Sequence, residues 1–137
     1  MSDTGDSADK TAQDSIAAFN ECEFARLLGM FVTKAHDGYA EVVMDLTGKT
    51  NPDGIAHGGA IFALADHAFG IAANCGGDNR VAVSVHILYI APATGSLLAR
   101  AELVADNGKY STYRIIVSEG PRLIAEFEGI SLQVSPP

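Results

Sequence analysis

The chain has little cysteine and few basic side chains, and it lacks a long uninterrupted apolar run. Its two cysteines, Cys22 and Cys75, are 53 positions apart without a Cys-x-x-Cys spacing, so neither a disulfide framework nor a zinc knuckle is indicated. Nine Lys and Arg against 17 Asp and Glu give a net charge of −8, which argues against a nucleic-acid or membrane partner. The isolated cysteines favour a reducing, cytoplasmic setting, and the acidic start lacks the basic n-region of a secretory signal.

The length predicts one domain. With 137 residues, 47% of them hydrophobic, the chain can form one packed core but not two. Residues 1–13 have too little apolar content to order themselves and are predicted to be a flexible acidic tail. Residues 14–137 are predicted to form the single domain.

The periodicity of the chain changes several times. Asp14-Ser15 could cap a short helix that runs to Leu28, and an Asp-Gly turn at residues 37–38 predicts a hairpin of strands 30–35 and 39–46. A helix of about 16 residues follows Gly58-Gly59. Four strands are then predicted, each expected to pair antiparallel with the next across a short turn: 81–90, 96–105, 110–118 and 122–134.

The long helix is apolar on nearly every side, so it needs cover from a curved sheet, another helix or both. The predicted fold class is therefore α+β, with an antiparallel β-sheet wrapped around this central helix.

Asp66 is the only acidic residue between Gly58 and Gly77. A carboxylate in an apolar helix costs several kcal/mol unless it is paired or neutralised, so it needs a partner or a chemical role. Helical spacing places it in a groove of small residues with Gly59, Ala63 and Gly70. The alternative is a core acid that simply hydrogen-bonds to the neighbouring sheet.

Two further residues of this segment are better explained by structural roles. His67 points about 100° away from Asp66 around the helix, which favours packing or support of a neighbouring side chain, with a catalytic role as the alternative. Cys75, on the far side, is predicted to lie in the core.

The start of the helix is the second candidate site. The first amides of a helix lack internal partners and carry the positive end of its dipole, so the N–H of Gly58 or Gly59 could form an oxyanion hole. A tight turn is the alternative. Gly58 and Asp66 lie about 12 Å apart along the helix, so they could act on one carbonyl only if they came from two subunits of a dimer.

The pattern Asn51-x-x-Gly54-x-x-His57-Gly58-Gly59 with Phe62-Ala-Leu-Ala-Asp66-x-Ala68 resembles the signature of the hotdog-fold acyl-CoA thioesterases, in the branch of the phenylacetic-acid-degradation thioesterase. The strand motif Ile87-x-Tyr89-x-x-Pro92 extends the resemblance. It covers about residues 20–134. The family implies a sheet wrapped round the central helix, dimers with a continuous sheet and often a dimer of dimers.

The resemblance also implies the roles of four residues. Asp66 is expected to be the nucleophile or general base, and the Gly58 N–H is expected to polarise the thioester carbonyl across the subunit boundary. Asn51 would position the carbonyl or the water, and His57 would orient the loop. The resemblance further implies an acyl-CoA substrate, and no metal or organic cofactor is expected.

The substrate-binding residues are predicted to be Gly59, Phe62, Phe69 and Ser84. Phe62 and Phe69 suggest an aryl or short-to-medium acyl group. Ser84 is two residues after Ala82, where some relatives carry a water-holding Ser or Thr, and would lie on the same strand face. Candidate contacts for the CoA phosphates are Arg80, Lys109, Arg114 and Arg122, with surface charge as the alternative.

Two other functions remain open from the sequence. Hotdog hydratase-dehydratases pair an acid with a loop histidine, and Asp53 with His57 loosely resembles that pair. The other alternative is a non-catalytic acyl-CoA binding module.

Overall fold

The computed structural model describes residues 4–134, with side chains from residue 13 onwards. Three helices and six strands follow in order: α1 (Thr4–Glu21), α2 (Glu23–Leu28), β1 (Met30–His36), β2 (Tyr39–Met44), α3 (Gly58–Asn74), β3 (Arg80–Tyr89), β4 (Leu97–Asp106), β5 (Tyr110–Glu119) and β6 (Arg122–Gln133). The first helix begins before Asp14, at Thr4, and a second starts after Cys22. Residues 1–3 lie outside the described residues, and the flexibility of residues 1–13 stays a prediction.

The six strands form one antiparallel sheet in the order β1-β2-β4-β5-β6-β3. The expectation that β3 pairs with β4 is wrong, because β3 pairs with β6, from Arg80 opposite Gln133 to Tyr89 opposite Ala125. The β3–β4 connection is a crossing segment rather than a hairpin turn. It passes the start of α3, where the Ala56 amide donates to the Ala93 carbonyl at 2.8 Å. Its Pro and Gly predict a change of direction but not the partner strand.

Helix α3 packs its apolar side against one face of this sheet. Ile61, Leu64, Ala68 and Ile71 are all at most 4% exposed, on the side opposite Asp66 as predicted. On the sheet, Gly129 leaves room for Phe69, because a Cβ there would lie only 2.6 Å from the Phe69 ring.

Part of the back of α3 is covered by α1, through an edge-on contact between Phe19 and His67 with ring centroids 5.7 Å apart. The stripe of Gly59, Ala63, Asp66 and Gly70 stays partly or fully exposed. The helix thus has cover from both a sheet and a second helix, and one open face remains. Within residues 4–134, no helix is long and apolar enough to cross a membrane.

Candidate active site

The loop before α3 is organised by Asn51. Its side-chain Oδ1 accepts hydrogen bonds from the amides of Asp53 at 2.9 Å and Ile55 at 3.3 Å, which is the bonding expected where an Asn side chain shapes a turn. The loop is also fixed at its end, where the His57 amide donates to the Lys49 carbonyl at 2.8 Å. The Asn51 Oδ1 therefore holds the loop, and only the side-chain NH₂ is left to position a substrate or water.

His57 is the N-cap of α3. Its backbone is extended, with φ −63° and ψ 135°, and its Nδ1 accepts a hydrogen bond from the Gly59 amide at 2.8 Å. The amides of Ala60 and Ile61 donate to the His57 carbonyl. Within the described chain the Gly58 amide alone among these first amides has no acceptor, so it is a free donor at the positive end of the helix dipole.

Asp66 lies two turns further along α3, on the open face. Its carboxyl group makes no hydrogen bond or ion pair with the residues that the structure describes, and its side chain is exposed in the single chain. The core-acid alternative therefore does not hold. Surrounding protein atoms still displace enough water to raise the pKa of Asp66 above its ordinary value, which makes the ionised carboxylate a stronger base.

His67 and Cys75 both pack against other parts of the fold, as expected. His67 is half-buried against α1, its Nε2 has no partner among the described residues, and burial lowers its pKa. Cys75 is 1% exposed in the core. Neither side chain belongs to the open face with Asp66.

The phenylalanines predicted to line the substrate site have different positions. Phe69 is 1% exposed and packs against Tyr113 and Phe127, so the expectation that it forms a substrate wall is wrong for this chain. Its position around the helix brings it to the sheet rather than to the groove. Phe62 is half-buried with its ring against Phe127, at the border of the open face.

Ser84 is not on the strand face that the sequence predicted. A bulge interrupts β3 between Ala82 and Ser84, so that Ala82 is opposite Ser131 while Ser84 is opposite Ile130. Ser131 is buried and Ile130 is exposed. The extra residue therefore turns Ser84 to the sheet face away from α3, and the argument that it substitutes for Ala82 is wrong.

Of the basic residues, Arg80 is excluded as a phosphate contact because its side chain is 4% exposed. It donates to the Gly108 carbonyl at 3.0 Å and lies 3.9 Å from Asp106. Arg114 pairs with Glu126 at 3.5 Å. Both arginine side chains therefore contact neighbouring groups of the sheet and its turns.

Two pockets lie on either side of the α3 start. One, of about 320 Å³, lies beside His57 and Gly59 on the open face, and α2 forms its outer wall. Its remaining lining includes Phe24, Leu28, Lys49, Ala60 and Ala63. The other, of about 410 Å³, lies between Gly58 and the end of β3, with Tyr89 and Pro92 in its wall. The sequence did not indicate the α2 wall, whose only signal is the i, i+4 spacing of Phe24 and Leu28.

The helix start at Gly58 and the carboxylate of Asp66 both lie in a segment that matches a known protein family. The model of the thioesterase superfamily matches residues 53–125, which include both groups. The acyl-coenzyme A thioesterase PaaI of Escherichia coli is 32% identical over 129 residues, covering 91% of this chain and 92% of that protein. The chain belongs to the thioesterase superfamily.

Solved structures agree with this membership. The PaaI protein from the E. coli phenylacetic acid degradation operon superposes with a TM-score of 0.87 at 27% identity, covering 93% of this chain and 96% of that one. A mutant of the phenylacetic acid degradation protein PaaI from Thermus thermophilus gives a TM-score of 0.79 at 33% identity, covering 82% of this chain and 100% of that one. The predicted hotdog fold and the predicted thioester hydrolase are confirmed.

Proposed function

We propose that this thioesterase hydrolyses an aryl- or short-to-medium-chain acyl-CoA to the free acid and CoA. The observation that carries the proposal is that one helix, α3, presents both a free amide, on Gly58, and a carboxylate without a partner in the described chain, on Asp66. The similarity to E. coli PaaI, an acyl-coenzyme A thioesterase, supports the choice of substrate.

Asp66 supplies the carboxylate that the reaction needs. It either attacks the acyl carbon to give a mixed anhydride that water then opens, or it takes a proton from the water that attacks. In both cases the C–S bond breaks, the thiolate of CoA leaves and takes a proton, and the acid is released. Partial desolvation of Asp66 suits either role because it raises the basicity of the carboxylate.

Gly58 supplies the donor for the carbonyl oxygen. Because His57 Nδ1 already binds the Gly59 amide at 2.8 Å, the first amide open to a substrate is that of Gly58. Negative charge that develops on the thioester oxygen is stabilised by this N–H and by the helix dipole. The NH₂ group of Asn51 is a further donor on the loop that leads to Gly58.

The two groups act on one carbonyl only across a subunit boundary. Along α3, Gly58 and Asp66 are about 12 Å apart, beyond the reach of a single thioester. We propose a homodimer, or a dimer of such dimers, in which Gly58 of one subunit faces the Asp66 carboxylate of the other. Strand β3 supports this, because it is an edge strand whose Val81, Val83 and Val85 are 39–49% exposed.

The acyl group is proposed to enter the pocket beside α2. This pocket shares Gly59 and Ala63 with the open face of α3, and apolar side chains of Phe24 and Leu28 form its wall. A volume of about 320 Å³ is near the lower limit for ligand pockets, which favours an aryl ring or a short chain.

The function is tested by thiol release from a panel of aryl, short, medium and long acyl-CoA substrates. Wild type is compared with Asp66→Asn, and Asp53→Asn is the matched control because Asp53 is an exposed carboxylate in the loop before α3. We expect Asp66→Asn to lose at least ~10²-fold in kcat as a folded protein, and Asp53→Asn to keep wild-type activity.

Two results would contradict the proposal. Full activity of Asp66→Asn would remove the carboxylate role. Hydration of an enoyl-CoA without thiol release, lost in Asp53→Asn, would favour the hydratase alternative built on Asp53 and His57.

A further inference from the structure

The peptide unit between Gly58 and Gly59 is held at both ends. Its N–H, on Gly59, donates to His57 Nδ1 at 2.8 Å. Its C=O, on Gly58, accepts a hydrogen bond from the Tyr89 hydroxyl at 3.0 Å. One bond comes from the N-cap of the helix and the other from the end of strand β3, 31 residues further along the chain.

The Tyr89 ring is also packed on Gly58. A Cβ at position 58 would lie 3.4 Å from Tyr89 Cζ and 3.6 Å from Cε1, which is ordinary van der Waals contact. Tyr89 is 49% exposed and is the last residue of β3, paired with Ala125. Its ring therefore closes one side of Gly58 and leaves the other side accessible.

Such a restraint matters here because two glycines in succession begin the helix. Glycine has more backbone freedom than any other residue, so the first turn of α3 is its least constrained part. The Gly58 N–H belongs to the preceding peptide unit, whose carbonyl, on His57, accepts from the amides of Ala60 and Ile61. With that unit held and the Gly58–Gly59 peptide fixed by Tyr89 and His57, little rotation is left at Gly58, and the direction of its N–H is set. Preorganised donors stabilise a developing oxyanion best because they do not have to reorient during the reaction.

We infer that Tyr89 is a positioning residue for thioester hydrolysis, which aims the Gly58 amide through its hydrogen bond to the Gly58 carbonyl. The inference rests on the proposed function, in which Gly58 binds the thioester oxygen. Tyr89 acts through Gly58 rather than on the substrate. Its hydroxyl is therefore needed for turnover more than for binding.

The test compares Tyr89→Phe with Tyr110→Phe. Tyr110 is a matched control, since it is 42% exposed on β5 and its hydroxyl makes no hydrogen bond with the described residues. Steady-state thiol release is measured well below the melting temperature of both variants, with the oligomeric state checked by light scattering. We expect kcat of Tyr89→Phe to fall roughly tenfold, less than the ~10²–10³-fold effect of removing an oxyanion donor. KM and oligomeric state stay unchanged, and Tyr110→Phe behaves as wild type.

Three results would overturn the inference: an unchanged kcat, a raised KM with unchanged kcat, or activity lost through dissociation of the subunits. The second would show that the hydroxyl binds substrate, and the third that it serves assembly. Asp66→Asn in the same assay distinguishes a failure of the inference about Tyr89 from a failure of the proposed function. If Asp66→Asn is inactive and Tyr89→Phe is normal, only the inference about Tyr89 fails. If Asp66→Asn is fully active, the carboxylate mechanism fails, and Tyr89 is still judged on its own kcat.

Discussion

Gly58 and Asp66 lie on the same helix, α3, eight residues and about 12 Å apart, and neither the Gly58 amide nor the Asp66 carboxylate has a partner within the described chain. The first amides of a helix have no partner within the helix and bind caps, water or a ligand, and the Asp66 carboxylate is exposed on the open face of α3. The two unsatisfied groups are complementary to a thioester and to water. Their separation makes the second subunit part of the proposed mechanism.

Replacing Gly58 by proline removes the proposed oxyanion donor with little change to the fold. Proline is well accepted at the first position of a helix, and the preceding His57 already has the extended backbone that proline requires, with ψ 135°. We expect Gly58→Pro to lose about 10²–10³-fold in kcat, measured by thiol release.

The control for this change is Gly58→Ala, which adds a Cβ but keeps the N–H. The Cβ meets Tyr89 only at ordinary contact distance, 3.4 Å, and Gly58 is not among the glycines with positive φ. We expect kcat of Gly58→Ala to stay within a few-fold of wild type. Equal losses in both variants would mean that bulk at position 58, rather than the amide, determines activity.

The raised pKa of Asp66 predicts an acidic limit to activity. The carboxylate works only when ionised, so kcat/KM should fall as the pH decreases through a pKa that lies above the ordinary carboxyl value of 3.8. A profile of kcat/KM against pH measures this. An acidic limb at or below 3.8 would contradict the assignment of Asp66 as the working base.

The same shift predicts that Asp66→Asn is more stable than wild type at neutral pH. Because the folded state raises the pKa, it disfavours the ionised form, so stability is lost as the pH rises from the unfolded value through the folded one. The gain in melting temperature of Asp66→Asn should shrink as the pH falls and vanish below the unfolded pKa of an aspartate, ~3.9. A gain that persists in acid would have another cause.

Leu28 should control acyl-chain length if the pocket beside α2 holds the acyl group. Leu28→Trp fills the pocket and should remove activity on the longest accepted substrate while that on acetyl-CoA remains. Leu28→Ala should extend the range. Leu27→Ala is the control, since Leu27 is 77% exposed and does not line the pocket. The same chain-length profile in all four proteins would locate the acyl group elsewhere.

Gly129 should be among the least tolerant positions of the fold. A Cβ there would lie 2.6 Å from Phe69, whose ring is fixed between Tyr113 and Phe127. We expect Gly129→Ala to lower the free energy of unfolding by about 1–3 kcal/mol in urea denaturation. The control is Gly70→Ala, because Gly70 has open space and a helical backbone. This variant should leave the stability of the subunit equal or higher.

The sequence predicted local features better than it predicted partners. Each strand between Met30 and Gln133 was anticipated to within two residues, because alternation and Asp-Gly or Gly-Pro turns are local signals. The pairing of β3 with β6 was missed, since strand order depends on which faces are buried together. One bulged residue was enough to reverse the predicted face of Ser84.

In the candidate site, too, the residues with a local sequence signal were predicted and those that depend on distant contacts were not. Asp66 and Gly58 stand out in the sequence because an acid in an apolar helix and a Gly-Gly helix start are unusual on their own terms. The roles of the Tyr89 hydroxyl and of the α2 wall of the pocket have no such signal, because each depends on a contact between distant segments. Tyr89, for example, is 31 residues from Gly58 in the chain. Phe69 was placed on the wrong side because its helical angle lies at the edge between groove and sheet.

Mixed dimers test the central claim most directly. Asp66→Asn and Gly58→Pro subunits, each inactive alone, are unfolded together, refolded at equal amounts and assayed for thiol release. If each site takes Gly58 from one subunit and Asp66 from the other, about half of the dimers are mixed and each has one intact site, which restores about a quarter of wild-type activity. If both groups of a site come from the same subunit, no mixed dimer has an intact site, and activity no higher than that of the separate variants would contradict the shared active site.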